Sequence, residues 1–333
     1  MRLTLLVFPC VFFSLAAATL LGINLGNTLE EPIEGPPPHS AEEKYFAAFA
    51  SANFTLVRVP VRWDNHTLLQ PPYTVDAAWL SRVTTVVGWA VSRGLRVIVN
   101  SHDDRWLDLP SDADFAAALP RFLAIWRQVA AALAPFPPLL SLEVFNEPHQ
   151  MSLASLNAMQ AGVHAIIRAA SPTRAVVVCG LAMDGPWWLN SPASAGLALP
   201  ALADGSADPN LVLQVHDYDP FQFASPPLSV FEWGTPADIA KVRAAFANVS
   251  AWAARRRPPP APPLPVYLGE FAVSHLQPNK TARLTWYREY AKAARGAGFW
   301  AISIWDDDGW FQTLNRTAMA WDTAVLAALG DAS

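Results

Sequence analysis

The sequence predicts an α/β fold built as one domain, a (β/α)8 TIM barrel. Three observations carry that prediction. Eight short, apolar, β-branched runs recur along the chain, and longer segments with helical spacing of apolar residues lie between them. The glycine-rich phosphate turn of an open doubly wound sheet is missing. Near-continuous apolar strands separated by amphipathic helices mean parallel strands covered by helices.

Taken in order, the first strand is read at 20–27, LGINLGNT, followed by a helix over 41–52 that a Ser40 and Glu43 capping box would start. The second strand, 54–61, leads into a helix over 76–93. There Trp79, Val83, Val86, Val87 and Ala90 form one stripe and Gly94 closes the end. Strands at 95–101 and 139–145 bracket a helix over 112–134, and a helix over 153–170 precedes the fifth strand, 175–181. The sixth strand, 211–218, is followed by a helix over 236–255. The seventh, 265–271, is followed by a helix over 281–295 closed by Gly296, and 299–305 is the eighth. The proline-rich stretch 255–265, RRRPPPAPPLP, reads as a stiff loop at the barrel bottom, and one helix follows the last strand. No repeat or second domain is read.

The chain has 333 residues, 52% of them hydrophobic, which suffices for a large core. Its 23 basic residues face 28 acidic ones for a net charge of −5, and no basic run interleaves with aromatics, so nucleic acid is not expected as a partner. Residues 1–18 have the layout of a secretory signal: one Arg, an apolar stretch from Leu3 to Leu15, and small residues at Ala16 and Ala18 where cleavage is expected. A membrane anchor is the alternative, weakened by Pro9. After cleavage Cys179 stands alone, a packed thiol in VVVCGL, so no internal disulfide can form. Sequons at Asn53, Asn65, Asn248, Asn279 and Asn315 fit a secreted glycoprotein. An extracellular monomer, free of the membrane, is expected.

In such a barrel, chemistry sits at the C-terminal strand ends. Those ends carry Asn27 and Glu30, Arg58, His102 with Asp103 and Asp104, Asn146 and Glu147, His216 and Tyr218, Glu270, and Trp305. Glu147 and Glu270 lie three strands apart. With roughly 4.8 Å between strands and about 36° of tilt, those strand axes are roughly 14 Å apart, and side chains reaching inward bring the carboxyls within about 5 Å. That is the spacing of a retaining glycosidase rather than an inverting one. Two carboxyls this close titrate apart, and Arg58 can keep one ionised as nucleophile while the other donates a proton. Loop tryptophans Trp63, Trp106 and Trp310 are the expected sugar platforms, with Trp187, Trp188 and Trp233 as further aromatics outside the core pattern.

Six motifs in family order, GINLGNTLE (22–30), VRVPVRWDNHT (57–67), FNEP (145–148), HDY (216–218), YLGEF (267–271) and SIWDDDGWF (303–311), resemble glycoside hydrolase family 5, the cellulase family. The resemblance runs from Gly22 to about Leu329. It implies Glu147 as acid/base and Glu270 as nucleophile, with Arg58 bonded to Glu270 and Asn146 to the sugar 2-hydroxyl. It further implies His102 on the same sugar, His216 and Tyr218 orienting the carboxylates, Trp305 as the floor of the −1 subsite, and Asn27 and Glu30 on the next sugar. One departure is His102 followed by Asp103, where many members carry a second histidine.

The expected activity is retaining endo-hydrolysis of a β-1,4-glucan without cofactor or metal, with mannan or another β-glycan open as substrate. A catalytically silent carbohydrate-binding barrel is the alternative of another class. A metal-dependent barrel hydrolase would show a His-x-His pair on an early strand, which is absent here.

Overall fold

The computed structural model describes residues 18–102, 105–257 and 261–330. Residues 1–17, Asp103, Asp104, 258–260 of the proline-rich loop and 331–333 fall outside the described residues, so the readings made on them, the secretory signal included, are not addressed by the fold.

Eight parallel strands close on themselves: β1 (Leu20–Asn24), β2 (Leu56–Val59), β3 (Arg96–Val99), β4 (Leu140–Glu143), β5 (Val176–Val178), β6 (Leu211–His216), β7 (Val266–Phe271) and β8 (Ala301–Ile304). Each pairs with the next and β1 pairs with β8, as in Gly22 beside Ser303, so the barrel has no free edge. Around it run α1 (Glu43–Ser51), α2 (Ala77–Val91), α3 (Asp112–Leu133), α4 (Leu153–Ala170), α5 (Pro186–Leu189), α6 (Phe221–Ala224), α7 (Pro236–Arg256), α8 (Lys280–Gly296) and α9 (Thr323–Gly330). Among the described residues no helix is long and apolar enough to cross a membrane.

Two apolar layers hold the fold. The larger lies between strands and helices, and includes the predicted stripe from Trp79 to Ala90 and the buried Cys179. The smaller fills the barrel itself: Leu56, Ile98, Val177, Val212, Tyr267 and Ala301, one or none per strand. Side chains alternate faces along a strand, so two residues further toward the C-terminal end the same inward face carries Arg58, Asn100, Gln214 and Ser303. The barrel is therefore apolar below and polar above, all of it buried.

Local start and stop signals are partly as read and partly not. Gly94, at φ +73, closes the second helix in the left-handed conformation that glycine adopts without strain. The Ser40 capping box does not form. α1 begins at Glu43 with Glu42 as its cap and no side-chain bond, because Glu34 takes the Ala41 N–H at 2.8 Å and Arg82 takes the Ala41 carbonyl. A capping box is instead found at Thr235 and Asp238, ahead of α7. Gly296 is the last helical residue of α8 rather than its stop, and Gly298 supplies the positive φ of 74°. A short antiparallel pair in the loop after β8, β9 (Leu314–Asn315) with β10 (Ala320–Trp321), was not expected from the sequence.

Candidate active site

The polar upper layer is organised around Arg58, which is fully buried. Its five N–H donors are all satisfied. Nε and one Nη2 hydrogen go to the two oxygens of Glu143, each at 2.7 Å, and the other Nη2 hydrogen goes to Asn146 Oδ1 at 2.8 Å. Nη1 donates to Asn24 Oδ1 at 2.9 Å and to Glu270 Oε1 at 2.6 Å. A guanidinium is the side chain suited to this, since its donors are fixed in a plane and its charge is never lost.

Glu270 accepts from Arg58 on one oxygen and from the Tyr218 hydroxyl on the other, at 2.8 Å. Burial alone would raise its pKa. The charges of His216 and Arg58 and the Tyr218 hydrogen bond outweigh burial and hold it down at about 2, so it is an anion at any working pH. His216 Nδ1 lies 2.7 Å from Glu147 Oε1 and 3.7 Å from Glu270 Oε1. Burial opposes its charge, but Glu270 and the hydrogen bond to Glu147 push it up to about 9. Gly269 lets this ring approach, because a Cβ there would sit 2.7 Å from His216 Nε2.

These shifts have a consequence for stability. The folded pKa of His216 is above its unfolded value of 6.5, so its contribution is complete below pH 6.5 and is lost as pH rises through about 9. Urea unfolding of the wild type is expected to lose about 3 kcal/mol over that window, and His216→Gln to lose that part of the slope. Parallel slopes in the two proteins would contradict it.

His102 is neutral. Burial, then the Arg58 charge, pushes it down to about 3. Its tautomer follows from Asn100, whose Oδ1 accepts from the Val61 N–H and whose Nδ2 donates to Glu143 and, at 3.1 Å, to His102 Nδ1. The proton of His102 is therefore on Nε2, leaving a donor there. Its ring lies 5.8 Å from that of half-buried Trp305 at an interplanar angle of 18°. Trp305 is backed by Gly26, where a Cβ would meet the indole at 2.7 Å.

Of the residues expected from the sequence, Arg58, His102, Asn146, Glu147, His216, Tyr218, Glu270 and Trp305 converge on one mouth. Asn27 adjoins it through Gly26 and has φ +55. Glu30 is a correction: its carboxylate folds back on the N–H groups of Asn27 and Thr28 and is buried, which raises its pKa to about 7, so it braces the loop instead of facing a sugar. Trp63 is a second correction. It is 1% exposed, with Nε1 donating to the Asn100 carbonyl at 2.9 Å, and is core. Trp106 is half-buried with the Arg121 guanidinium 4.4 Å from its ring centroid. Trp310 and Trp187 are 54% and 63% exposed, while Trp188 and Trp233 are buried.

Sequence reasoning passed over Glu143, Asn24, Asn100, Gln214, Asp108 and Asp184, all buried. Asp108 accepts the N–H groups of His149, Gln150 and Met151 and so fixes the turn after Glu147; it also holds His149 Nδ1 at 2.9 Å. Among the described residues, the one acidic and histidine cluster compact enough for a cation is Glu147, His216 and Glu270, with ligand atoms within 4.8 Å of one another. Arg58 already supplies a cation to it.

A closed parallel barrel whose fourth and seventh strands deliver carboxylates this close, one anchored as an anion, has the architecture of the barrel glycoside hydrolases. Comparison with known proteins agrees. Residues 26–307 match the model for cellulase, glycosyl hydrolase family 5, and the chain belongs to that family. It is 37% identical over 317 residues to Endoglucanase H of Acetivibrio thermocellus, which covers 93% of this chain and 32% of that protein. It is 27% identical to the cellulase/esterase CelE of the same organism, over 90% of this chain and 38% of that one, so it spans about a third of these curated relatives. Among solved structures, an endoglucanase superposes with a TM-score of 0.81 at 29% identity, covering 93% of this chain and 96% of the other. Endoglucanase Cel5A from Thermotoga maritima superposes with a TM-score of 0.82 at 25% identity, with the same coverage.

Proposed function

We propose that the chain is a secreted, retaining endo-β-1,4-glucanase that acts by double displacement, with Glu270 as nucleophile and Glu147 as acid/base. The observation that carries this reading is the approach of the two carboxylates, whose oxygens lie within 4.8 Å of each other at the mouth. Carboxyls about 5 Å apart leave no room for a water between them and the anomeric carbon, which is the retaining arrangement.

In the first step Glu270, kept ionised, attacks the anomeric carbon as the glycosidic bond breaks, and the departing oxygen takes the proton of Glu147. In the second, Glu147 as carboxylate takes a proton from water, the water oxygen bonds to the anomeric carbon, and Glu270 is released. Two inversions restore the β-anomer. Asn146 has its Oδ1 on Arg58, so only its Nδ2 hydrogens are available to a sugar hydroxyl; His102 offers Nε2–H to the same sugar, and Trp305 its face. Trp310, exposed on the loop after β8, and half-buried Trp106 are the remaining platforms.

Glucan is favoured by the endoglucanase relatives and by an endo-β-1,4-glucanase, solved with substrate, that is 29% identical. Secretion rests on the leader-like residues 1–18 and on the sequons. Asn53, Asn65 and Asn248 of these are exposed, while Asn279 and Asn315 are half-buried.

The test offers purified protein a panel of soluble β-glucans and mannans and follows the first anomer released by NMR. The β-anomer is expected first from a β-glucan. The α-anomer would end the retaining mechanism, cleavage of mannan alone would end the glucan assignment, and binding without cleavage would leave a carbohydrate-binding barrel.

A further inference from the structure

Glu147 has φ +50, and three consecutive residues after β5, Ala182, Met183 and Asp184, have φ of 57°, 58° and 58°. Residues with a Cβ avoid this left-handed region, and a run of three persists only where the surroundings hold it. The second run is tied to the first. Asp184 is 1% exposed, and its carboxylate accepts three N–H groups: Gly180 at 2.9 Å on Oδ1, then Gln214 Nε2 at 2.8 Å and the backbone of Glu147 at 3.2 Å on Oδ2. Gln214 Nε2 also donates to the Phe145 carbonyl at 3.0 Å, two residues before Glu147.

The backbone of the same segment grips both neighbours of the proton. Met183 N–H donates to the Pro148 carbonyl at 3.2 Å, just beyond Glu147, and Asp184 O accepts the His216 N–H at 3.0 Å. His216 is the residue whose imidazole meets the Glu147 carboxylate at 2.7 Å. One short, strained segment therefore sets Glu147 against His216.

We infer that Asp184 is a positioning residue for the acid/base: through the Glu147 N–H and through Gln214 it holds the strained turn that aims the Glu147 carboxyl at the leaving-group oxygen. This rests on the acid/base reading of Glu147 given above. All three partners of Asp184 are N–H donors, so an asparagine, equal in volume, must turn its own N–H2 toward at least one of them. Asp184→Asn then loosens the turn without touching substrate.

Proton donation separates this role from general support of the fold. A strongly acidic phenol leaves without help, whereas a poor leaving group needs the acid. For Asp184→Asn, kcat/KM on phenyl β-cellobioside is expected to fall about 100-fold, and on 2,4-dinitrophenyl β-cellobioside at most ~3-fold. The ratio of the two is independent of how much protein is folded. Gln214→Met breaks the same link from the other side and is expected to shift the ratio in the same direction, about 10-fold, which keeps the test open should Asp184→Asn not fold. Equal losses on both substrates, or no loss, would overturn the proposal. Glu147→Ala measured on the same pair tells the two readings apart. If it shows the selective loss and the Asp184 and Gln214 variants do not, Asp184 alone is misassigned; if Glu147→Ala loses both substrates equally, the acid/base reading falls and this inference with it.

Discussion

Glu270→Gln is expected to lower turnover on a soluble β-glucan by about 10⁴-fold or more, the scale on which a reacting group of a catalytic set is lost. Glutamine keeps one oxygen to accept from Arg58 and turns its NH2 toward the Tyr218 hydroxyl, which can accept, but it has no anion to attack carbon. Glu270→Ala leaves space instead, and azide should restore part of the rate on an activated aryl β-cellobioside by attacking the anomeric carbon directly, with an α-glycosyl azide as product. Glu147→Ala with azide should yield the β-glycosyl azide, since Glu270 still inverts first. The two roles are thus read from product stereochemistry by NMR. The same azide anomer from both variants would mean that the assignment of nucleophile and acid is wrong.

The barrel and its rim are legible in the sequence for a physical reason. Parallel strands buried on both faces are apolar along their length, so the point where the run stops on Asn146 and Glu147, or on Glu270, marks the mouth. The layer beneath was less legible because it interrupts those runs singly. Arg58, two residues beyond the inward-facing Leu56, was read from the sequence, but Asn100, two beyond Ile98, and Gln214, two beyond Val212, were not. A period of two running from apolar to polar along one strand face is the signal that finds them. Position after a strand was a poorer guide for tryptophans, since Trp63 and Trp310 both follow strands but only Trp310 is open to solvent. The backbone strain at Ala182, Met183 and Asp184 has no sequence signature, because no glycine marks it.

Of the buried polar groups, Glu143 has the largest expected effect on stability. Glu143→Leu leaves two N–H donors of Arg58 without acceptors and removes one of the two carboxylates paired with a charge that is out of contact with water. Breaking a buried pair from one side costs about 4 kcal/mol, or a fall in Tm of ~8 °C for a chain of this size. Removing both sides is expected to behave differently: Arg58→Met combined with Glu143→Leu leaves no stranded charge there and should recover most of that loss. Activity should not return with it, because Glu270 would then lack the Nη1 hydrogen bond and the charge that keep it ionised. Thermal unfolding and turnover of the two single variants and the double variant check both halves. A double variant as unstable as the sum of the singles would show that Glu143 does not act through Arg58. Recovered stability without recovered turnover would place Glu143 as the group that lets a fully buried guanidinium serve Glu270: it takes the bidentate grip and leaves Arg58 a single, 2.6 Å bond to Glu270.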